Sequence, residues 1–212
     1  MEILHAFADT GVESYVLAKH GNVTRLGINP DRGLLDVWNF QGASNVVQAD
    51  AIATPFKDDA FDLALIHPPC TPFTDFSGLL ETIYEDYERP DSMIDDARKE
   101  VKRISQDYII ENKPKADIRN DVVLNGLCFD IPYKKERAFE CSFSVSQPEL
   151  FDVKEMDGSY RSEWSDSKPN VMWGKGYPDI WTGKEAMNAS IPKKYIQFLM
   201  SEYLSEYLSK CP

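Results

Sequence analysis

The stretch FDLALIHP, residues 61–68, is apolar almost throughout. A strand with one wet face alternates polar and apolar side chains, whereas a near-continuous apolar strand has to be covered on both faces, as in a parallel sheet flanked by helices. The surrounding sequence repeats the theme. EILHAF, TRLGINP, NVVQADA and DYIIENKP are further short apolar runs, and helical spacing lies between them. GVESYVLAKHG places Val12, Tyr15, Val16 and Lys19 at helical intervals and stops at Gly21, and DRGLLDVWNF has the make-up of a short helix. The charged stretch over residues 79–107 is helical in pattern, divided by Pro90, with Asp91 or Ser92 placed as an N-cap. Strands separated by helical stretches predict βαβ units and a mostly parallel, doubly wound α/β sheet, with its ligand at the carboxyl ends of the strands.

A chain of 212 residues, 42% hydrophobic and 12% aromatic, suffices for one well-buried domain, and no run is long enough to span a membrane. The opening MEILHAFADT lacks the basic and apolar regions of a secretory leader, so an intracellular, cytoplasmic protein with reduced thiols is expected at Cys70, Cys128, Cys141 and Cys211. With no CxxC and only three histidines (His5, His20, His67), no metal site is expected. The net charge of −12 sits poorly with a phosphate-gripping protein, but Lys113, Lys115, Arg119, Lys134, Lys135, Arg137, Lys168, Lys175, Lys193 and Lys194 all lie after residue 110 and are expected to gather on one positive face. Residues 144–184 hold Trp164, Trp173 and Trp181 with little periodicity and read as an irregular insertion; Pro192 then opens an amphipathic helix with Ile196, Leu199, Met200, Tyr203, Leu204 and Tyr207 on one stripe.

Four strand ends carry candidate chemistry. The loop FADTGVES after the first strand leads into a helix N-terminus, where backbone N–H groups can face a nucleotide-like ligand. Asp50, at the end of the third strand, can accept an adenine amino hydrogen, although such aspartates more often cap helices. The fourth strand delivers Cys70 behind Pro68 and Pro69, whose fixed dihedrals present the next side chain at a defined place. The fifth ends in Glu111-Asn112. In a parallel sheet the two ends are neighbours, and a thiol with a carboxyl facing one pocket suits covalent attack on an electron-poor ring with ring protonation. Taken alone, Cys70 also reads as a small apolar filler and Arg137 as a surface ion-pair partner.

Taken in order, FADTG, GIN, QAD, FDLALIHPPCTPFT, YIIEN, LNGLCFDIPYKKERAFE and IPKKY resemble the DNA cytosine-5 methyltransferases, especially compact phage-type members, over residues 3–143 and about 174–200. The resemblance implies a Rossmann-like S-adenosylmethionine-dependent methyltransferase fold: a catalytic domain over 1–143, a short insertion over 144–184 in place of a target-recognition region, and a C-terminal helix within 185–212 packing back on the domain. It also implies roles. Cys70 attacks C6 of cytosine, Glu111 bonds and protonates N3, and Arg137 steadies the base, with Lys135 in place of the family's other arginine. S-adenosyl-L-methionine is bordered by Phe7, Asp9, Thr10 and Gly11, with Asn29 toward its ribose, Asp50 toward its adenine and Pro68 at the pocket wall. Pro69, Asn112 and Lys135 face the substrate, and no metal is implied. DNA is the implied partner, with a protein partner for target recognition. The sequence departs from the family pattern at His5, which stands in the place of an acidic residue, and at Asp9, which stands in the place of the first glycine. Three alternatives stay open: a protein of this fold that binds nucleotide or DNA without turnover, a methyltransferase acting on a free nucleotide, and an amino-directed methyltransferase in which HPPC is a variant loop and no cysteine attacks.

Overall fold

A computed structural model describes residues 1–28, 43–129, 131, 135–149, 175–177 and 190–210. Seven strands form one sheet: β1 (Glu2–Ala6), β2 (Asn22–Gly27), β3 (Ala43–Gln48), β4 (Phe61–Ile66), β5 (Ser105–Asn112), β6 (Val122–Leu124) and β7 (Arg137–Cys141). Their spatial order is β3-β2-β1-β4-β5-β7-β6. The five strands from β3 to β5 run parallel, and β7 lies antiparallel to both β5 and β6. The expected Rossmann-like, mostly parallel doubly wound sheet is therefore the one that forms. The hairpin β6–β7 is an addition that the sequence reading did not include.

The helices follow from the same periodicities. α1 (Ser14–Leu17) is shorter than its sequence pattern, which continues as turns to Gly21. α2 (Asp75–Ile83) begins where the Thr74 side chain accepts a hydrogen bond from the Ser77 N–H. α3 (Ile94–Ile104) buries Ile94, Ala97, Val101 and Ile104, and the Ser92 hydroxyl accepts from the Ile94 N–H just before its start. α4 (Lys193–Lys210) buries Tyr195, Ile196, Leu199, Met200 and Tyr203, while Tyr207 is 37% exposed, so the apolar stripe stops short of its last expected member. The helix expected in DRGLLDVWNF lies outside the described residues, as does the 144–184 insertion apart from 144–149 and 175–177.

Period-two alternation splits the strands between two cores. Ile3, Val23, Leu63, Leu65, Ile109, Phe139 and Cys141 face α1 and α4, while Leu4, Ala6, Leu26, Ala64, Ile66, Tyr108 and Ile110 face α3. Burying each such large side chain contributes roughly 1.5–3 kcal/mol. The second face is pinned by Glu140 of β7, fully buried, which accepts from the Arg98 guanidinium of α3 at 3.0 Å, from the Arg119 N–H at 3.1 Å and from the Tyr108 hydroxyl at 3.3 Å.

Candidate functional site

At the carboxyl edge of the sheet the face toward α1 and α4 turns from apolar to polar. Following each inward series outward, Val23 gives way to Arg25 on β2, Ile3 to His5 on β1, Leu65 to His67 just beyond β4, and Ile109 to Glu111 on β5; Arg137 continues the series of Phe139 and Cys141 on antiparallel β7. Register makes the row a staggered one: His5 pairs with Arg25 and with Leu65, so His67 and Glu111 stand two residues further out, and Arg137 stands two residues beyond Phe139, the partner of Glu111. The result is a polar row across five strands, centred where β1 meets β4, the switch point at which doubly wound sheets bind ligands.

The centre of the row is tightly bonded. The His67 Nδ1–H donates to Glu111 Oε2 at 3.0 Å, and the Arg137 Nε lies 2.6 Å from Glu111 Oε1. Burial is the largest influence on Glu111 and pushes its carboxyl up. The hydrogen bond from His67 and the charges of Arg137, His67 and Lys135 outweigh it, so the group settles below its ordinary value. For His67 burial acts downward, but the bond to Glu111 and the charges of Glu13 and Glu111 raise it overall, against Arg137. His5 is different: burial, then His67 and Arg25, hold it well below its ordinary value, and it is neutral. The proton of the central pair therefore resides on His67, with Glu111 as its carboxylate partner.

Cys70 lies three residues beyond His67. It is a free thiol, partly exposed, at the N-cap of a short 3-10 turn, Thr71–Phe73, and it is not packed into either apolar core. Pro68 is buried and Pro69 exposed. The Asn112 amide donates to the Pro68 carbonyl at 3.0 Å, which ties the loop carrying the thiol to the end of β5. Asn112 thus serves the backbone of the loop and is itself buried. Lys135 is also buried, and its carbonyl accepts from the Tyr195 hydroxyl of α4 at 2.8 Å.

The loop after β1 is held by a residue that sequence reasoning missed. Arg25 is fully buried, its Nε donates to the Ala8 carbonyl at 2.7 Å, and its guanidinium also donates to the Asp9 carbonyl. Gly11 has φ +57°, and a Cβ there would stand 2.2 Å from the Arg25 guanidinium carbon, so the missing side chain makes room for the arginine. Phe7 also adopts a left-handed φ of 55°. Burial pulls the Arg25 guanidinium down to about 9, against the charges of Glu13 and Asp9, and it stays charged at neutral pH. Arg25 thereby fixes a loop that is short of glycines. Thr10 is buried, Phe7 and Asp9 are half-buried, and the exposed Asp50 accepts from the Ile52 N–H at 3.0 Å, which makes it a turn cap with its carboxylate at the surface. Asn29 lies outside the described residues. Arg25 and His67 carried a signal in sequence: each is the polar residue that ends an inward-facing series, visible once the phase of each strand is followed.

The expected positive face does not form among the described residues. Lys135, Arg137 and Lys175 are buried, Lys115 pairs with Asp75 at 2.6 Å and Arg119 with Asp121 at 3.0 Å. Lys193 lies over the Tyr15 ring and Lys194 donates to the Phe129 carbonyl. Carboxylates, carbonyls and rings within the protein take up these cations. Lys134 and Lys168 lie outside the described residues.

No family model matches the chain, and no curated protein matches it. Among solved structures it is similar to the cyclase SpnF (18% identity, covering 55% of this chain and 41% of that one, TM-score 0.39). It is also similar to a SAM dependent methyltransferase from Aquifex aeolicus (15% identity, covering 56% and 60%, TM-score 0.37). A third similarity is to the methyltransferase EhMeth of Entamoeba histolytica (13% identity, covering 82% and 65%, TM-score 0.41). The chain thus spans less than two thirds of the length of each. Likenesses at this distance carry no argument about activity. Sheet and site define the class instead: a Rossmann-like α/β protein with a buried polar row and a presented thiol at its switch point.

Proposed function

We propose that the protein is an S-adenosylmethionine-dependent methyltransferase that acts on C5 of cytosine through a covalent adduct with Cys70. The observation that carries this reading is the meeting of two strand ends. A partly exposed thiol stands on a proline-stiffened loop whose His67 and Pro68 are hydrogen-bonded to the Glu111 and Asn112 that close the neighbouring strand. The Cys70 thiolate adds to C6 of the base. The proton held by the His67–Glu111 pair passes through the Glu111 carboxyl to N3, which relieves the negative charge that the addition creates on the ring. Arg137 holds the other oxygen of the Glu111 carboxylate and so fixes its orientation.

The surroundings fit the cofactor at two points: the half-buried Phe7, just after β1, and the surface carboxylate of Asp50, just after β3, stand at the carboxyl edge where an adenosyl group would lie. When bound, S-adenosylmethionine supplies an electrophilic methyl group for the activated C5. A base, for which solvent water suffices, then takes the C5 proton, the sulfur leaves C6 as the thiolate by elimination, and N3 returns its proton to the His67–Glu111 pair. For a base within duplex DNA the ring has to leave the stack, which costs a few kcal/mol.

A second reading keeps the chemistry and changes the substrate to a free cytosine nucleotide; the internally engaged basic side chains favour it. The decisive experiment incubates the chain with S-adenosylmethionine and either 5-fluorocytosine DNA or the 5-fluoro nucleotide. Expected is a covalent adduct by intact-mass spectrometry that Cys70→Ser abolishes. The absence of an adduct with both substrates would sink the cytosine reading, and an adduct with the nucleotide alone would select the second substrate.

A further inference from the structure

Next to the proposed reaction centre, methyl transfer leaves unused the side chains of His5 and Glu13 and the Nε2 atom of His67. His5 of β1, Glu13 at the start of α1 and His67 after β4 each bring one ligand-type atom within 4.8 Å of the others. The remaining polar atoms of all three are already committed outward. The His5 Nδ1 bonds the Ser14 hydroxyl at 2.8 Å, the His67 Nδ1 bonds Glu111, and Glu13 Oε1 accepts from the Ile191 N–H at 2.8 Å. What is left points at a common space. Both Nε2 atoms are buried and make no hydrogen bond, and the approach of His5 Nε2 to Glu13 Oε2 is 3.7 Å, too long for one.

Buried polar atoms are nearly always satisfied, and two adjacent imidazole nitrogens without partners are costly unless a ligand bridges them. Between His5 and Glu13 a shared proton would need a contact shorter than the 3.7 Å that separates them. A cation would satisfy all three atoms at once, and Glu13 and Glu111 offset the positive charge of Arg25 beside His5. We infer that His5 Nε2, His67 Nε2 and the Glu13 carboxylate form a binding site for one divalent transition-metal ion of the zinc class. Two imidazoles and a carboxylate are the donor set that such ions prefer, and three protein ligands leave a fourth position open. A tetrahedral ion with bonds of about 2.0–2.1 Å sets its ligand atoms about 3.4 Å apart, so small side-chain rotations close the site. The groups behind the ligands match those that orient metal-bound histidines: a hydroxyl on His5 and a carboxylate on His67 fix which nitrogen faces the ion. The ion would clamp β1, α1 and the β4 loop together and hold the His67 Nδ1–H toward Glu111. Sequence spacing gave no hint of the site, because His5 and His67 are brought together only by the pairing of β1 with β4.

The test is titration of the chelator-treated full chain with Co²⁺, followed by visible d–d absorption, with Zn²⁺ as competitor. Expected is one equivalent bound and displaced by zinc, with affinity reduced at least tenfold in Glu13→Gln and in His67→Gln and unchanged in His20→Ala. No binding to the wild-type chain would overturn the inference, as would binding that survives in Glu13→Gln and His67→Gln alike. Should those variants not fold, X-ray absorption of the cobalt-loaded wild type decides instead. Imidazole and oxygen scattering supports the site, and sulfur ligation overturns it.

Discussion

Arg137 and Glu111 show how much one buried pair carries at this site. Arg137 is 9% exposed and Glu111 is 7% exposed, and the guanidinium is among the charges that hold the carboxylate below its ordinary value. Removing the arginine leaves a buried anion that has lost its nearest cation and keeps only His67 and the charge of Lys135, and breaking such a pair from one side costs about 3–5 kcal/mol. Arg137→Ala is therefore expected to lose stability on that scale in urea denaturation. Arg137→Lys keeps the charge but loses the planar fork, and should fall between the two. A loss below about 0.5 kcal/mol, the level of an ordinary surface substitution, would mean that the pair is not formed in solution.

Among the elements, α3 is fastened to the segment after β3 through Glu100. Its carboxylate accepts from the Thr54 N–H at 2.9 Å and the Thr54 hydroxyl at 2.6 Å, and pairs with Arg103 at 2.6 Å. The Arg103 hydrogen bond is the largest cause, and with Thr54 it overcomes burial to hold the Glu100 carboxyl at about 2 against an ordinary 4.5. A carboxyl whose folded value is depressed stabilises the fold above its unfolded value and loses that contribution as the pH falls toward the folded one. The expected outcome is a stability that declines between pH 4.5 and about 2, with a shallower decline in Glu100→Gln, checked by thermal melts across that range. An equally steep decline in the variant would remove Glu100 as a cause.

The elements differ in how visibly they are written. β1 to β5 were legible because burial on both faces demands apolar runs, and α3 and α4 because their buried residues recur at helical spacing. β6 is three residues long, and β7, RAFEC, carries a charge at two of its five positions, so neither offers a run to recognise. Cys70 and Glu111 were legible because they stand at strand ends next to proline and asparagine. The row from Arg25 to Arg137 was not, since which polar residues become neighbours depends on strand order and register, and neither is stated by any one segment.

At the scale of the whole molecule the open question is what an acidic protein with a net charge of −12 admits to its switch point. The order of the sequence suggested a basic face that draws in polyanionic DNA. In the fold, Lys135, Arg137 and Lys175 are interior, while Lys115, Arg119, Lys193 and Lys194 are each held by a carboxylate, carbonyl or ring of the protein itself. Each phosphate neutralised by a protein cation releases counterions and adds about −0.9 to the slope of log affinity against log salt for duplex DNA. With the cations just named taken up inside the protein among the described residues, the slope is expected to be no steeper than about −2, which corresponds to about two phosphates. Measured by fluorescence anisotropy on a cytosine-containing duplex, such a slope would agree with a substrate gripped at the base rather than along its backbone. A slope of about −5 or steeper would require five or more phosphate contacts. That result would restore the basic face and, with it, DNA as the substrate that the surface selects.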